Sequence, residues 1–317
     1  MRFLVVGAGA IGGYFGGRLL EAGRDATFLV RPRRAAALAA AGLTIRSRFG
    51  DAAIAKPPLA LADGLKAPFD VVVLSCKAYD LEGAMDAFAP AVGPATAILP
   101  LLNGMRHLDA LDKRFGRGRV LGGWCSISTA LDAQGRVIHF NDLHTLRFGE
   151  RDGARSARAE AIAAAFAGAK FDGRLSETIV AEMWEKWVFI AAAAGINCLM
   201  RAPFGDIVAA GAADWATALL DECADIAARQ GFPPRPEFLA QIRGLFAAPG
   251  SSLMASMLRD VERGAPVEAD HILADLLRRA GPAGGERAPL LRIACAHLRA
   301  YEARRARELA AGPQGAP

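Results

Sequence analysis

Six residues near the start of the chain, Gly7-Ala8-Gly9-Ala10-Ile11-Gly12, constrain its fold more than any other stretch. They follow a short apolar run, Phe3 to Val6, of the length of a buried parallel strand. Residues with helical spacing come next, and then a second apolar run, Ala26 to Val30. Strand, glycine turn, helix and strand in this order are the opening of a doubly wound α/β sheet that binds a dinucleotide. Gly7 permits the tight turn, and Gly9 lets backbone N–H groups approach a pyrophosphate. Gly12 lets the helix pack closely, with its positive end toward the phosphates. Ala8, Ala10 and Ile11 complete the loop whose backbone would line the cofactor. The competing reading, in a chain with 34 glycines, is a glycine-rich turn that holds no ligand. The flanking strand and helix favour the dinucleotide.

The end of the second strand bears on which dinucleotide. A site selective for NAD usually carries Asp or Glu there, accepting from the ribose hydroxyls. No acid lies between Thr27 and Gly50; Arg31, Arg33 and Arg34 stand there instead. A guanidinium can hold a 2′-phosphate bidentately, so the expectation is NADP(H) rather than NAD(H). The alternative is an ordinary solvated basic turn before a helix.

A chain of 317 residues with 53% hydrophobic and 22% charged residues has the composition of a globular protein of two domains. The net charge of +5 suits anionic small molecules. Aromatic residues are not interleaved with the basic clusters, so no nucleic-acid partner is expected. Cys76, Cys125, Cys198, Cys223 and Cys295 form no C-x-x-C pair, and their odd number suggests reduced thiols in the cytoplasm. The five histidines lack ligand spacing, so no metal site is expected. No basic-then-apolar leader precedes the first strand. The longest apolar stretch, Trp187 to Met200, is too short to span a bilayer and reads as a core helix.

Apolar runs at Val71–Ser75, Ala97–Leu101, Val120–Ser126, Val137–Phe140 and Leu146–Gly149 alternate with helical segments as far as about Asp172. The expected domains are a Rossmann-type, NADP-binding domain over 1–175 and a helical domain for substrate and dimerisation over 176–309. A frayed tail is expected over 310–317. The first long helix of the second domain should begin near Thr178. Breaks are expected at Ala202-Pro203, at Gly231 and at Gly281. Ligands of doubly wound sheets bind beyond the carboxyl ends of strands, which singles out Lys77 and Asn103. Solvated loop residues are the alternative for both. Lys186, between Trp184 and Trp187 on an apolar helix, reads either as a partly desolvated proton donor or as an i,i+4 partner of Glu182 worth about 0.3–0.5 kcal/mol. Glu268 and Asp270 read first as acids in the opening turn of a helix.

Taken together, these segments resemble the ketopantoate reductase family along nearly the whole chain. The resemblance rests on Gly7 to Gly12, on Ser75-Cys76-Lys77-Ala78 and on Asn103-Gly104-Met105. It continues in Glu182 to Lys186, in Ser256 to Asp260 and in Glu268-Ala269-Asp270. It implies a Rossmann domain followed by a helical domain of the 6-phosphogluconate dehydrogenase C-terminal type, with the active site in the cleft between them. It also implies NADPH-dependent reduction of 2-dehydropantoate to (R)-pantoate on the route to pantothenate. By position, Lys186 matches the family's general acid, and Asn103 matches the asparagine beside the nicotinamide. Lys77 matches the cofactor-side lysine and Arg31 the 2′-phosphate ligand. Ser256 corresponds to a substrate contact, and Glu268 to the acid at the cofactor and substrate edge.

The chain departs from the family where asparagines would contact substrate: Ile190, Ala194 and Phe204 occupy those positions. Losing hydrogen-bonding groups from a pocket can change substrate discrimination by orders of magnitude. Asn197, about three turns beyond Lys186, could return an amide to that face if the helix runs past Gly195. The leading expectation is a cytoplasmic NADPH-dependent reductase of a 2-keto acid. The alternatives are the same chemistry on a less polar carbonyl or imine, or a non-catalytic NADP(H)-binding regulator. The apolar helical half suits a homodimer.

Overall fold

Phe3, Leu4, Val5 and Val6 are all buried, and they make β1 (Arg2–Val6) the centre of a parallel sheet. The computed structural model describes residues 1–311. Its other strands are β2 (Asp25–Leu29), β3 (Leu43–Arg46), β4 (Ala52–Ile54), β5 (Leu59–Ala60) and β6 (Val71–Leu74). They continue as β7 (Ala97–Pro100), β8 (Gly122–Leu131), β9 (Val137–Gly149) and β10 (Asp172–Leu175). Between them run the helices α1 (Ala10–Glu21), α2 (Pro32–Ala41), α3 (Leu81–Phe88), α4 (Arg106–Phe115) and α5 (Ala157–Phe166).

The parallel sheet has the order β5-β2-β1-β6-β7, with helices as crossovers, which is the expected doubly wound arrangement. The later strands do not extend it. β8, β9 and β10 join β3 and β4 in a second sheet, in which β9 pairs with β8, β3 and β10. The two runs expected at Val137–Phe140 and Leu146–Gly149 are one continuous strand, whose polar middle is carried on an exposed face. Helix α1 packs against strands of both sheets. A Cβ at Gly16 would lie 2.6 Å from the Phe28 ring, and one at Gly17 would lie 2.7 Å from Ile45 Cδ1. Two adjacent glycines thus let one helix approach two sheets closely.

By its contacts the chain forms two units. One is Met1–Leu102 with His107–Val180; the other is Asn103–Arg106 with the chain from Ala181 onward. The division after Val180 falls beyond the expected one after Leu175, and the tetrapeptide Asn103–Arg106 belongs with the helical unit. That unit consists of α6 (Ile179–Met200), α7 (Phe204–Ala209), α8 (Ala213–Arg229), α9 (Pro236–Phe246) and α10 (Ser256–Glu262). It ends with α11 (Asp275–Arg279), α12 (Gly281–Glu286) and α13 (Pro289–Ala311). A π-helical segment, Asp270–Ala274, leads into α11. The break expected at Gly281 also opens a helix, because Pro282 suits a first helical turn. Of the tail expected from Ala310, the first two residues close α13, and 312–317 lie outside the described residues.

Helix α6 is anchored on both sides of Lys186. The buried Glu185 carboxylate accepts three bonds from Arg235, from the backbone N–H at 2.9 Å and from the guanidinium at 2.8 and 2.7 Å. The Trp187 indole N–H donates to the Ile272 carbonyl at 2.8 Å. Because Arg235 is largely exposed, Glu185→Ala is expected to remove only about 2 kcal/mol, chiefly the hydrogen bonds to the buried carboxylate. Urea unfolding followed by tryptophan fluorescence would show it as a lower midpoint at unchanged slope.

Candidate active site

The glycine turn is built by contacts that the spacing alone does not reveal. Gly7 adopts φ +93°, and its N–H donates to the Leu29 carbonyl at 2.9 Å, tying the turn to β2. The Ser75 hydroxyl, just past β6, donates to the Val6 carbonyl at 2.9 Å and lies 3.3 Å from the Gly7 carbonyl. A Cβ at Gly12 would lie 2.0 Å from the Gly7 carbonyl oxygen and 2.3 Å from Ser75 Oγ. By contrast, Gly9 is exposed, and nothing lies within 4 Å of where its Cβ would be. Gly9 stands at the N-cap of α1, where no side chain caps the first N–H groups. An open surface of backbone donors at the positive end of a twelve-residue helix suits a pyrophosphate. Ala8 is buried behind this surface, while Ala10 and Ile11 are partly exposed on the first turn.

Arg31 follows β2, with its side chain 77% exposed, and donates to Asp80 at 2.6 Å. That carboxylate holds the guanidinium pKa above its ordinary value. Arg34 is turned inward. Its Nε donates to the Ala8 carbonyl at 3.0 Å and its Nη2 to the Gly135 carbonyl at 3.1 Å, so it braces the loop from behind. Burial pushes its pKa down. Lys77 is partly buried and directly precedes a short 3-10 turn, Ala78–Asp80, at the end of β6. The first unit therefore gathers Gly7 to Gly12, Arg31 and Lys77 at the carboxyl ends of β1, β2 and β6. Ser75, Arg34 and Asp80 belong to the same cluster, and their roles depend on tertiary contacts that no local motif announces.

In the helical unit the other candidates surround the π segment. Gly104 has φ +76°, and a Cβ there would lie 3.0 Å from the His271 carbonyl oxygen and 3.1 Å from its ring. The buried His271 imidazole also makes a hydrogen bond to the Asn103 backbone. Burial lowers the His271 pKa, and the nearby Glu268 and Asp275 carboxylates oppose this only partly. The ring is thus neutral near pH 7 and holds the Asn103 loop in place. Glu268 is buried, and its carbonyl accepts from the His271 and Ile272 N–H groups, opening the π segment. Lys186 is partly buried beside Trp187, whose indole N–H is bonded to Ile272. Asn103, Glu268 and Lys186 are therefore all tied, through His271 or Trp187, to one irregular helical turn. Such π segments are frequent at functional sites.

The candidates around Asn197 require a correction. Helix α6 does run past Gly195, but the Asn197 side chain is fully buried. Its Nδ2 donates to the Ala202 carbonyl at 2.9 Å, and its Oδ1 accepts from Ala255 N–H at 2.8 Å. The amide closes the end of α6 and holds the residue before Ser256, and its burial keeps it from a ligand. Phe204 is likewise fully buried, stacked on Phe246 at 4.1 Å, and Ala194 is buried in α6. These side chains are core, because tertiary packing and not helical period decides which face is covered. Ile190 is partly exposed, and Ser256 is exposed at the start of α10.

Burial pushes the Cys198 thiol up to about 12 and the Cys295 thiol to about 11, away from nucleophilic use. Among the described residues no group of three or more His, Cys, Asp or Glu could hold a metal ion. No helix among them is long and apolar enough to cross a membrane.

Two family models match successive parts of the chain. The family model for ketopantoate reductase PanE/ApbA matches residues 3–153, and that for its C-terminal part matches residues 178–302. YkpB, an uncharacterised oxidoreductase of Bacillus subtilis, is 38% identical over 304 residues, covering 96% of this chain and 99% of its own length. The crystal structure of 2-dehydropantoate 2-reductase from Methylococcus capsulatus superposes with a TM-score of 0.85 at 26% identity, covering 98% of this chain and 99% of that one. The ternary structure of D-mandelate dehydrogenase with NADH and anilino(oxo)acetate gives a TM-score of 0.86 at 20% identity, over 96% of this chain and 100% of that one, a likeness of fold alone.

Proposed function

Since this chain belongs to the ketopantoate reductase family, a family of oxidoreductases, we propose that it reduces a 2-keto acid with NADPH, with 2-dehydropantoate to (R)-pantoate as the first candidate. The observation that carries the reading is the open turn at Gly9, ringed by Gly7, Gly12 and Ser75 and flanked by Arg31 and Lys77. When bound, the nicotinamide supplies two electrons and a proton to the ketone carbon. The turn's N–H groups and α1 hold the pyrophosphate, and Arg31 receives the 2′-phosphate. Lys186 donates the proton that the ketone oxygen takes up, from a backbone anchored at Glu185 and Trp187. Asn103 orients the carbonyl, and its loop is braced by His271. Glu268 and Ser256 complete the polar contacts. A cytoplasmic homodimer is part of the proposal, supported by the exposed apolar side chains Trp215 and Ile293.

Ile190 favours a second reading. It is partly exposed one turn beyond Lys186, at a position where the family resemblance places an asparagine. An apolar side chain there suits a less polar 2-keto acid or another carbonyl or imine. Steady-state assays with NADPH against 2-dehydropantoate and a panel of keto acids decide between them. The expected kcat/KM for 2-dehydropantoate is at least about 10⁴ M⁻¹s⁻¹. A more than tenfold preference for an apolar keto acid would select the second reading, and no turnover across the panel would remove both.

A further inference from the structure

We propose that Asp80 sets the cofactor preference of this protein. It competes with the 2′-phosphate of NADPH for Arg31 and leaves the site able to take NADH as well. This rests on the dinucleotide reading above.

Asp80 ends the 3-10 turn that runs directly into α3, and its φ −96° and ψ 0° are helical rather than the extended geometry of a capping residue. Its side chain makes no bond to the first N–H groups of α3. It accepts from Arg31 Nη2 at 2.6 Å. The carboxylate thus serves a guanidinium 49 residues away in the chain and not its own helix. The two residues belong to the loops after β2 and β6, and these strands flank β1 on either side. Both loops therefore emerge at the edge of the sheet that carries the glycine turn. A dinucleotide whose pyrophosphate lies on that turn and whose ribose reaches Arg31 also meets Asp80.

The consequences differ for the two cofactors. A 2′-phosphate carries about −1.5 to −2 charge near neutral pH. It gains Arg31 only by displacing or sharing Asp80, against repulsion from that carboxylate. NADH brings a ribose hydroxyl instead, which donates to a carboxylate, as in NAD-selective sites. Asp80 thus supplies the acid missing from the end of β2, from a different strand. Arg34 does not offset it, because its guanidinium is committed to the Ala8 and Gly135 carbonyls. The Arg31–Asp80 pair is solvent-accessible, and exposed pairs of this kind are weak. Displacement is therefore inexpensive, and the advantage of NADPH over NADH is narrowed without NADPH being excluded.

The test is direct binding. Dissociation constants for NADPH and NADH are measured by nicotinamide fluorescence, without substrate, on the full chain and on Asp80→Asn, Arg31→Ala and the double variant. Thermal melting checks that each is folded. The wild-type constants are expected to lie within about tenfold of each other. Asp80→Asn, which removes charge at constant shape, should shift the ratio toward NADPH by about fivefold or more. In the Arg31→Ala background the same substitution should shift it by less than half as much, since the two residues act as a pair. An unchanged ratio in Asp80→Asn, or a wild-type preference above a hundredfold, would overturn the role of Asp80 and leave the dinucleotide site standing. Failure of folded wild-type protein to bind either cofactor would overturn both.

Discussion

Lys186→Ala is expected to lower kcat by about 10²–10⁴-fold while changing the dissociation constant of NADPH less than threefold. The size follows from what a positioned general acid contributes, and the selectivity follows from where the lysine stands. Its neighbours in sequence are fixed independently, Glu185 by Arg235 and Trp187 by the Ile272 carbonyl. The backbone of α6 should therefore keep its course when the ammonium is removed, and cofactor binding has no reason to change. Lys186→Arg should recover little, because a guanidinium stays protonated in proteins and is a poor proton donor. Single-turnover kinetics and a fluorescence titration separate the two effects. Turnover within a few fold of wild type would take Lys186 out of this role.

Gly12→Val is expected to have the largest effect on the first unit. The added Cβ would lie 2.0 Å from the Gly7 carbonyl oxygen, 2.3 Å from Ser75 Oγ and 3.2 Å from the Gly7 carbonyl carbon. Two of these atoms are backbone and cannot move without opening the link between β1 and α1. A loss of about 3–5 kcal/mol is expected, together with a more than hundredfold weaker dinucleotide affinity. Gly9→Ala separates stability from binding. Its φ is −81°, and its Cβ would meet nothing within 4 Å, so stability should change by no more than about 0.5 kcal/mol. The methyl would stand where the phosphate approaches, so affinity should still fall about tenfold or more. Equal losses of stability in the two variants would contradict the division of roles between these glycines.

The parallel sheet was legible because its strands, apart from the two-residue edge strand β5, are continuous apolar runs, and α6 because its apolar stretch is long. The second sheet was legible only in part: the runs that became β8 and β9 could be read, but not that they leave the parallel sheet. β3 and β4 span only four and three residues, and β9 carries Phe140 and Leu143 exposed around a polar middle, so neither pattern distinguishes a strand from a loop. At the site, Gly7 to Gly12 could be recognised from spacing because the turn that needs them is local. Asp80 and His271 carry no local signal; each is an ordinary polar residue until the fold brings it to Arg31 or to the Asn103–Gly104 turn. Asn197 shows the opposite failure. Its polarity and helical position suggested a ligand contact, while the fold uses both ends of its amide to close a helix.

The Asn103–Arg106 tetrapeptide has a consequence for how such proteins can be recombined. It departs from the strand-and-helix half of the chain and returns to it within four residues, yet its contacts are with the other half. A chimera joined at a single point after Val180 would set one parent's Gly104 against another parent's His271, across a close contact in which a Cβ at Gly104 would stand only 3.0 Å from the His271 carbonyl oxygen. Exchange of the helical half between relatives therefore has two junction regions. The shorter segment, four residues long, must travel with the longer one for the recipient to keep its asparagine in place.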